Sequence, residues 1–246
     1  MAGAYRGGIV RPGEHGGYPV AELDHGICVA AEPPAAAQQV QASGERVFLV
    51  GHSLGGILSV MAAAQHPDLA RGVLMLDSPL ISGWRATTVG VAKRTQVVSA
   101  VSPGRVSRQR RMSWASTDEA LEHFLKKEVF TRWDPQVLHD YVTHGLHDKD
   151  GRRVLGFDRT VETAIYNTLP HNLDRLLRRH PLRCPTAFIG GLDSVEMRQV
   201  GMALTRRITG GRIMMLDGSH LFPMEQPLAT AAAIEAALLN LSSIAP

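Results

Sequence analysis

Residues 47–56, read VFLVGHSLGG, constrain the fold of this chain more than any other stretch. The first four residues are apolar and have the length and composition of a buried β-strand. Residues 54–66 show a helical pattern that ends before Pro67. Between strand and helix, glycines two positions before and two positions after Ser53 leave space for a sharp turn. The stretch therefore predicts a strand, a tight turn that exposes Ser53, and a helix.

Short apolar runs alternate with helical patterns in two parts of the chain, up to residue 83 and again from residue 181. Strand, helix and strand in close succession indicate parallel strands joined by crossover helices. We therefore predict an α/β core from residues 1–83 and 181–246, with a mostly parallel sheet flanked by helices. Further strands are expected at 72–76, 185–189 and 212–216, and a long helix from Pro227.

The intervening block, residues 84–180, has a different pattern. It lacks convincing buried strands and is rich in helical patterns, such as 117–125 and 134–142. It holds eight of the thirteen aromatic residues of the chain, including all three tryptophans. We interpret this block as a helical cap, or lid, with an apolar underside.

Composition favours a globular cytoplasmic protein. The chain has 246 residues, of which 44% are hydrophobic and 20% charged. No apolar run is long enough to cross a bilayer, and the first thirty residues have no continuous apolar centre typical of a secretory signal. Cys28 and Cys184 form no CxxC pair, which argues against a disulfide framework or a structural zinc.

The net charge of +3 does not indicate a nucleic-acid partner. Basic residues concentrate at 105–111 and 175–179, but neither run is interleaved with aromatics on a recognisable module. We interpret both runs as solvated faces. His139, His144 and His147 are five and three positions apart, which is not the i, i+4 spacing of a helical metal pair, and we predict no metal site.

Ser53 has the surroundings that a nucleophilic serine requires. A serine that attacks a carbonyl must be exposed, activated by a base and placed beside donors for the developing oxyanion. The strand-to-helix turn would expose the hydroxyl, and the helix N-terminus would favour negative charge there.

The order of these features resembles the α/β-hydrolase superfamily, in particular serine hydrolases of the AB hydrolase-1 type. Residues 47–56 resemble its nucleophile elbow, and Gly218-Ser-His220-Leu-Phe-Pro-Met-Glu-Gln-Pro227 resembles its histidine loop. The resemblance implies an α/β-hydrolase fold with an inserted cap, a Ser53 nucleophile, a His220 base and no cofactor.

The resemblance leaves the acid of the triad open. Asp193, 27 positions before His220, is at the family's usual acid position and is our first choice. Asp77 is at the alternative acid position, and Glu196 follows Asp193 by one helical turn. Asp217 is too close to His220 in sequence to reach back to it easily.

The oxyanion hole departs from the family pattern. One donor is expected to be the backbone N–H of Leu54, and the second normally comes from a His-Gly loop far upstream. Residues 18–24 resemble the strand before the elbow strand, which leaves little chain for earlier strands. His15-Gly-Gly17 directly precedes that strand and is interpreted as a turn. We therefore expect a sheet shortened at its N-terminal side and a weak activity.

The function implied is hydrolysis of a carboxylic ester, or a similar acyl bond, of a mainly apolar small molecule through an acyl-enzyme. The alternative is a truncated, weakly active or non-catalytic relative that binds a ligand. Candidate pocket residues are the large aromatics of the cap, namely Trp84, Trp114, Trp133 and Phe157. A small-molecule substrate is the expected partner, with no nucleic acid and no membrane span.

Overall fold

The computed structural model describes residues 46–80, 108–168 and 173–244. A four-stranded sheet is formed by β1 (Val47–His52), β2 (Ala70–Leu76), β6 (Thr186–Gly191) and β7 (Ile213–Leu216). The helices around it are α1 (Leu54–Gln65), α6 (Leu173–Arg179), α7 (Val195–Val200), α8 (Ala203–Thr209), α9 (Phe222–Glu225) and α10 (Pro227–Ser242).

Between β2 and α6 the chain forms three more strands and four more helices within the described residues. The strands are β3 (Ser113–Trp114), β4 (Leu146–Lys149) and β5 (Arg152–Leu155). The helices are α2 (Thr117–Leu125), α3 (Glu128–Thr131), α4 (Pro135–His144) and α5 (Arg159–Thr168).

The main sheet is parallel throughout, with the strand order β1-β2-β6-β7. All four strands lie where the sequence predicts them, within one or two residues. The fold is therefore the predicted α/β-hydrolase fold. Because the strands run in the same direction, the segments that follow them all emerge at one edge of the sheet.

Strand β2 shows why the sheet is covered on both faces. Successive side chains of a strand point to opposite faces. Val73 and Met75 join the apolar cluster that contains α1, α6, α7 and α8, whereas Leu74 and Leu76 join the cluster that contains α9 and α10. A continuous apolar run is what a strand between two helical layers requires.

The cap has an apolar core of its own. Trp114, Phe124, Leu138 and Val142 are buried there with partly buried aromatic neighbours. Strands β3, β5 and β4 form a small antiparallel sheet under the helices. The sequence predicted helices in this block and no convincing buried strand; the structure adds three strands of two to four residues, which are too short for a periodic pattern to reveal.

Helix α6 lies in the range predicted as cap but packs elsewhere. Its Leu173 and Leu177 belong to the core cluster on the α1 face of the sheet. The cap boundaries at residues 84 and 180 stay a prediction. Helix α6, near the C-terminal end of that range, contributes to the core of the main sheet.

Several predicted features lie outside the described residues: the strand at 18–24, the His15-Gly-Gly17 turn, Cys28 and Trp84. Within the described ranges, no helix combines the length and apolar character needed to cross a membrane.

Candidate active site

Ser53 lies in a strained turn between β1 and α1. Its φ is 52° and its ψ −118°, a region that residues with a side chain rarely adopt. The turn is close-packed: a Cβ at Gly56 would lie 2.0 Å from Ser78 Oγ, and a Cβ at Gly51 would lie 2.2 Å from the backbone of Gly55. Only glycine fits at both positions, so the chain can reverse sharply and present the Ser53 hydroxyl.

His220 contacts both Ser53 and a carboxylate. It follows β7, and its Nε2 lies 2.9 Å from Ser53 Oγ while its Nδ1 lies 2.8 Å from Asp77 Oδ1. An ionised carboxylate only accepts hydrogen bonds, so Nδ1–H donates to Asp77 and Nε2 accepts from the Ser53 hydroxyl. A base hydrogen-bonded to a nucleophile and oriented by a third group is the geometry of nucleophilic catalysis.

Asp77 is fully buried and well supplied with donors. Besides His220, the Gly191 backbone N–H donates to Oδ2 at 2.7 Å and the Ser194 hydroxyl donates to Oδ1 at 2.6 Å. A buried carboxylate needs such partners to replace water. Asp77 itself has a φ of 42°, which turns the chain as it leaves β2.

Asp193, the first choice for the acid, does not contact His220. Its side chain is 63% exposed and lies 3.5 Å from Arg132. In the turn after β6, Leu192 and Asp193 point outward whereas Ser194 is buried and reaches Asp77. The other two acids considered, Glu196 and Asp217, are exposed. The geometry therefore replaces Asp193 with Asp77, the alternative raised from the sequence.

His52 is a neighbour of the site that the sequence analysis did not single out. Its Nε2–H donates to the backbone carbonyl of His220 at 2.7 Å, and the two rings are 4.8 Å apart. Burial, followed by the proximity of His220, lowers the pKa of His52 to about 4. His52 is therefore neutral at physiological pH and anchors the histidine loop. The sequence signal that could have pointed to His52 is its position directly before Ser53.

Glu225 anchors the same loop through its contacts with Ser219. Its carboxylate accepts from the Ser219 backbone N–H at 2.9 Å and from the Ser219 hydroxyl at 2.5 Å. Arg132 of the cap lies 3.3 Å from Glu225, whose side chain is only 6% exposed. A second link joins cap and core, because the Asp134 N–H donates to the Met224 carbonyl at 2.8 Å. The cap thus contacts the core at the segment that carries His220.

A cavity of about 510 Å³ lies at this edge of the sheet, beside the histidine loop. It is lined by Arg132, Leu192, Asp193, Asp217, Gly218, Glu225 and Gln226.

The proposed aromatic pocket is not found among the described residues. Trp114 is fully buried in the cap core, and Trp133 packs against Phe130 and Tyr141 in the same cluster. These tryptophans therefore stabilise the cap rather than line a cavity. Phe157 is half-buried after β5.

Leu54, the expected oxyanion donor, is the first residue of α1. Backbone N–H groups in the first turn of a helix have no carbonyl partner within the helix, so this one is available to an oxyanion beside Ser53. Within the described ranges, no group of three or more histidine, cysteine or acidic side chains is arranged to hold a metal ion.

Comparison with known families agrees with this geometry. A model of the alpha/beta hydrolase family matches residues 8–233, most of the chain. The chain belongs to the alpha/beta hydrolase family. A search of curated proteins found no significant match.

Solved structures with the same fold include several hydrolases. An E-2-(acetamidomethylene)succinate hydrolase superposes with a TM-score of 0.63 at 22% identity, over 84% of this chain and 72% of the other. A peroxisomal alpha-beta-hydrolase from Saccharomyces cerevisiae superposes with a TM-score of 0.63 at 14% identity, over 87% of this chain and 60% of the other. An esterase from Mycobacterium tuberculosis superposes with a TM-score of 0.58 at 20% identity, over 84% of this chain and 67% of the other. At such identities the likeness establishes the fold alone.

Proposed function

We propose that this protein is a serine hydrolase that cleaves carboxylic esters or similar acyl bonds of a small molecule. The observation that carries the proposal is the continuous hydrogen-bonded chain from Asp77 through His220 to Ser53. Family membership and the hydrolases that share the fold support a hydrolytic reaction. The choice of an ester rests on the serine nucleophile.

In this reaction Ser53 Oγ attacks the substrate carbonyl while His220 Nε2 takes the hydroxyl proton. Asp77 holds the imidazole in the tautomer that can accept this proton and stabilises the imidazolium that forms. The backbone N–H of Leu54 donates to the oxyanion. His220 then gives the proton to the leaving alcohol, and an acyl group remains on Ser53.

Water completes the cycle. His220, neutral again, takes a proton from a water molecule that attacks the acyl-enzyme, and then returns it to Ser53 Oγ as the acid product leaves. Every proton transfer passes through His220 Nε2, so the position of this one atom decides the rate.

A serine-reactive fluorophosphonate tests the proposal directly. We expect covalent labelling of the wild-type protein at Ser53 and no labelling of Ser53→Ala. Ser242→Ala, which alters an exposed serine at the end of α10, is the matched control and should label like the wild type. An unlabelled wild type, or equal labelling of Ser53→Ala, would contradict the proposal and favour a ligand-binding protein without turnover.

A further inference from the structure

The edge of the sheet opposite the candidate active site is strongly basic. Helices α6 and α8 end directly before β6 and β7, so their last turns lie at the edge where the parallel strands begin. Arginines are concentrated there: Arg46, Arg71, Arg175, Arg178, Arg179, Arg183, Arg206, Arg207 and Arg212. We call these nine residues the basic pole.

The charge of the basic pole is nearly unbalanced. Among the described residues that flank it, 66–72, 173–183 and 203–212, the acids are Asp68 and Asp174. These three ranges hold eight arginines against two aspartates, a net charge of +6, whereas the whole chain carries +3. The rest of the chain is therefore net negative, at −3. Such separation creates a directed field that orients the protein toward an anionic partner.

The two arginine-rich helices are held together by one aspartate. Asp174 accepts from Arg178 at 2.5 Å within α6 and also contacts Arg207 of α8. The guanidinium of Arg207, and then that of Arg178, lowers the pKa of Asp174. This carboxylate engages two of the nine cations, so Arg175, Arg179 and Arg206 stay exposed beside it.

Helix-end electrostatics explains only part of the pole. Arginines in the last turn of α6 and α8 interact favourably with the negative end of each helix. Arg46, Arg71 and Arg183 lie outside these helices and are also exposed. Arg46 donates to the Ala70 carbonyl and Arg71 lies over the Phe48 ring, so each also has a partner within the fold. Together with the helix-end arginines they form a broad area of positive charge.

We propose that the basic pole docks this protein on an anionic phospholipid surface. Guanidinium groups bind phosphate in a bidentate manner, and all nine cations are arginines. The pole extends across the beginnings of all four strands, so it is broad and matches a planar array of headgroups.

The composition of the pole favours lipid over nucleic acid. Residues 66–72, 173–183 and 203–212 contain no Phe, Tyr or Trp on which bases could stack, and Phe48, which lies under Arg71, packs against the core. Docking through this edge leaves Ser53, Asp77 and His220 at the far edge, where they face away from the lipid.

Vesicle flotation tests the proposal with phosphatidylglycerol-containing vesicles and pure phosphatidylcholine vesicles. We expect binding to the anionic vesicles alone, weakened by added salt because the attraction is screened. Each arginine near an anionic surface contributes about fivefold to binding, so Arg175→Gln, Arg179→Gln and Arg206→Gln together should weaken it about 100-fold.

A matched variant separates the effect of the basic pole on vesicle binding from the effect of the protein's net charge. Arg108→Gln, Lys126→Gln and Lys149→Gln together remove three exposed cations of the cap, and this variant should bind within a few fold of the wild type. The melting temperature of each variant verifies its folding. No binding of the wild type, equal losses in the two triple variants, or tighter binding of a short DNA duplex at the same salt concentration would each overturn the proposal.

Discussion

Asp77 shows how one buried carboxylate can organise a reaction centre. Three donors converge on it: the His220 ring, the Gly191 backbone and the Ser194 hydroxyl. These bonds form only when β2, β6 and β7 are aligned, since Gly191 ends β6, Ser194 lies in the turn after β6, and His220 follows β7. The carboxylate is therefore fixed before substrate binds, and so is the imidazole that it orients.

Replacing Asp77 tests the geometric choice of acid. Asp77→Asn should lower the turnover of a p-nitrophenyl ester on the order of 10³–10⁴-fold, because the amide favours the wrong tautomer of His220. Asp193→Asn is the matched control and should retain activity within about twofold, since surface changes away from a reacting group have small effects. The reverse pattern would restore Asp193 as the acid.

His52 predicts a pH dependence of stability. Its folded pKa of about 4 lies below the ordinary value of 6.5, so between these pH values the unfolded chain binds a proton that the folded chain does not. Stability should therefore fall as the pH falls through this window. The loss should be about 2 kcal/mol, less than the full shift implies because the ring is partly exposed.

Urea denaturation of His52→Gln at pH 7 and pH 4.5 measures this contribution. Glutamine keeps a donor for the His220 carbonyl but does not titrate, so the free energy of unfolding should depend less on pH than in the wild type. His144→Gln, at an exposed histidine, should leave the dependence unchanged. An unaltered dependence in His52→Gln would show that other groups cause it.

At the scale of elements, the contact between cap and histidine loop is the most consequential. Arg132 follows α3 of the cap and contacts Glu225. Glu225 in turn accepts a hydrogen bond from Ser219, the residue directly before His220. Because the Glu225 side chain is nearly buried, its oxygens find hydrogen-bond partners in Ser219 and Arg132 rather than in bulk water. The cap therefore supports the loop that carries the base.

Removing the cap arginine should loosen this loop. Arg132→Gln should lower the free energy of unfolding by about 1–2 kcal/mol and increase amide exchange across residues 217–226, because Glu225 loses its cation. Arg111→Gln breaks an ion pair of the cap whose partners are 41% and 39% exposed, and should change the free energy of unfolding much less than Arg132→Gln does. Equal effects on exchange in both variants would refute a special role for Arg132.

At the scale of the whole molecule, charge separation has a cost. Nine arginines at one edge of the sheet repel one another, which destabilises the folded state. The triple variant at Arg175, Arg179 and Arg206 loses two favourable helix-end interactions but relieves more repulsion, so it should be slightly more stable than the wild type at low ionic strength. Thermal melts at low and high salt measure the difference, which should shrink as salt screens the repulsion. A variant less stable than the wild type at low salt would show that these arginines stabilise the fold.

The local pattern of residues determined the elements of the core. The apolar runs predicted all four parallel strands, and the glycines around Ser53 predicted the turn that exposes it. These features depend on neighbours in sequence, because strand burial and tight turns place strict demands on side-chain size and polarity. Ser53 could be named for the same reason, whereas His220 was named because residues 218–227 resemble the histidine loop of the family.

Only the tertiary structure decided which acid faces His220. Asp77 and Asp193 both follow core strands, and the sequence does not show that the turn after β6 buries Ser194 and exposes Asp193. His52, the cap contact at Arg132 and the basic pole likewise join residues far apart in sequence. Their positions follow from the order in which the strands pair, and this order is set by packing of the whole chain rather than by any local pattern.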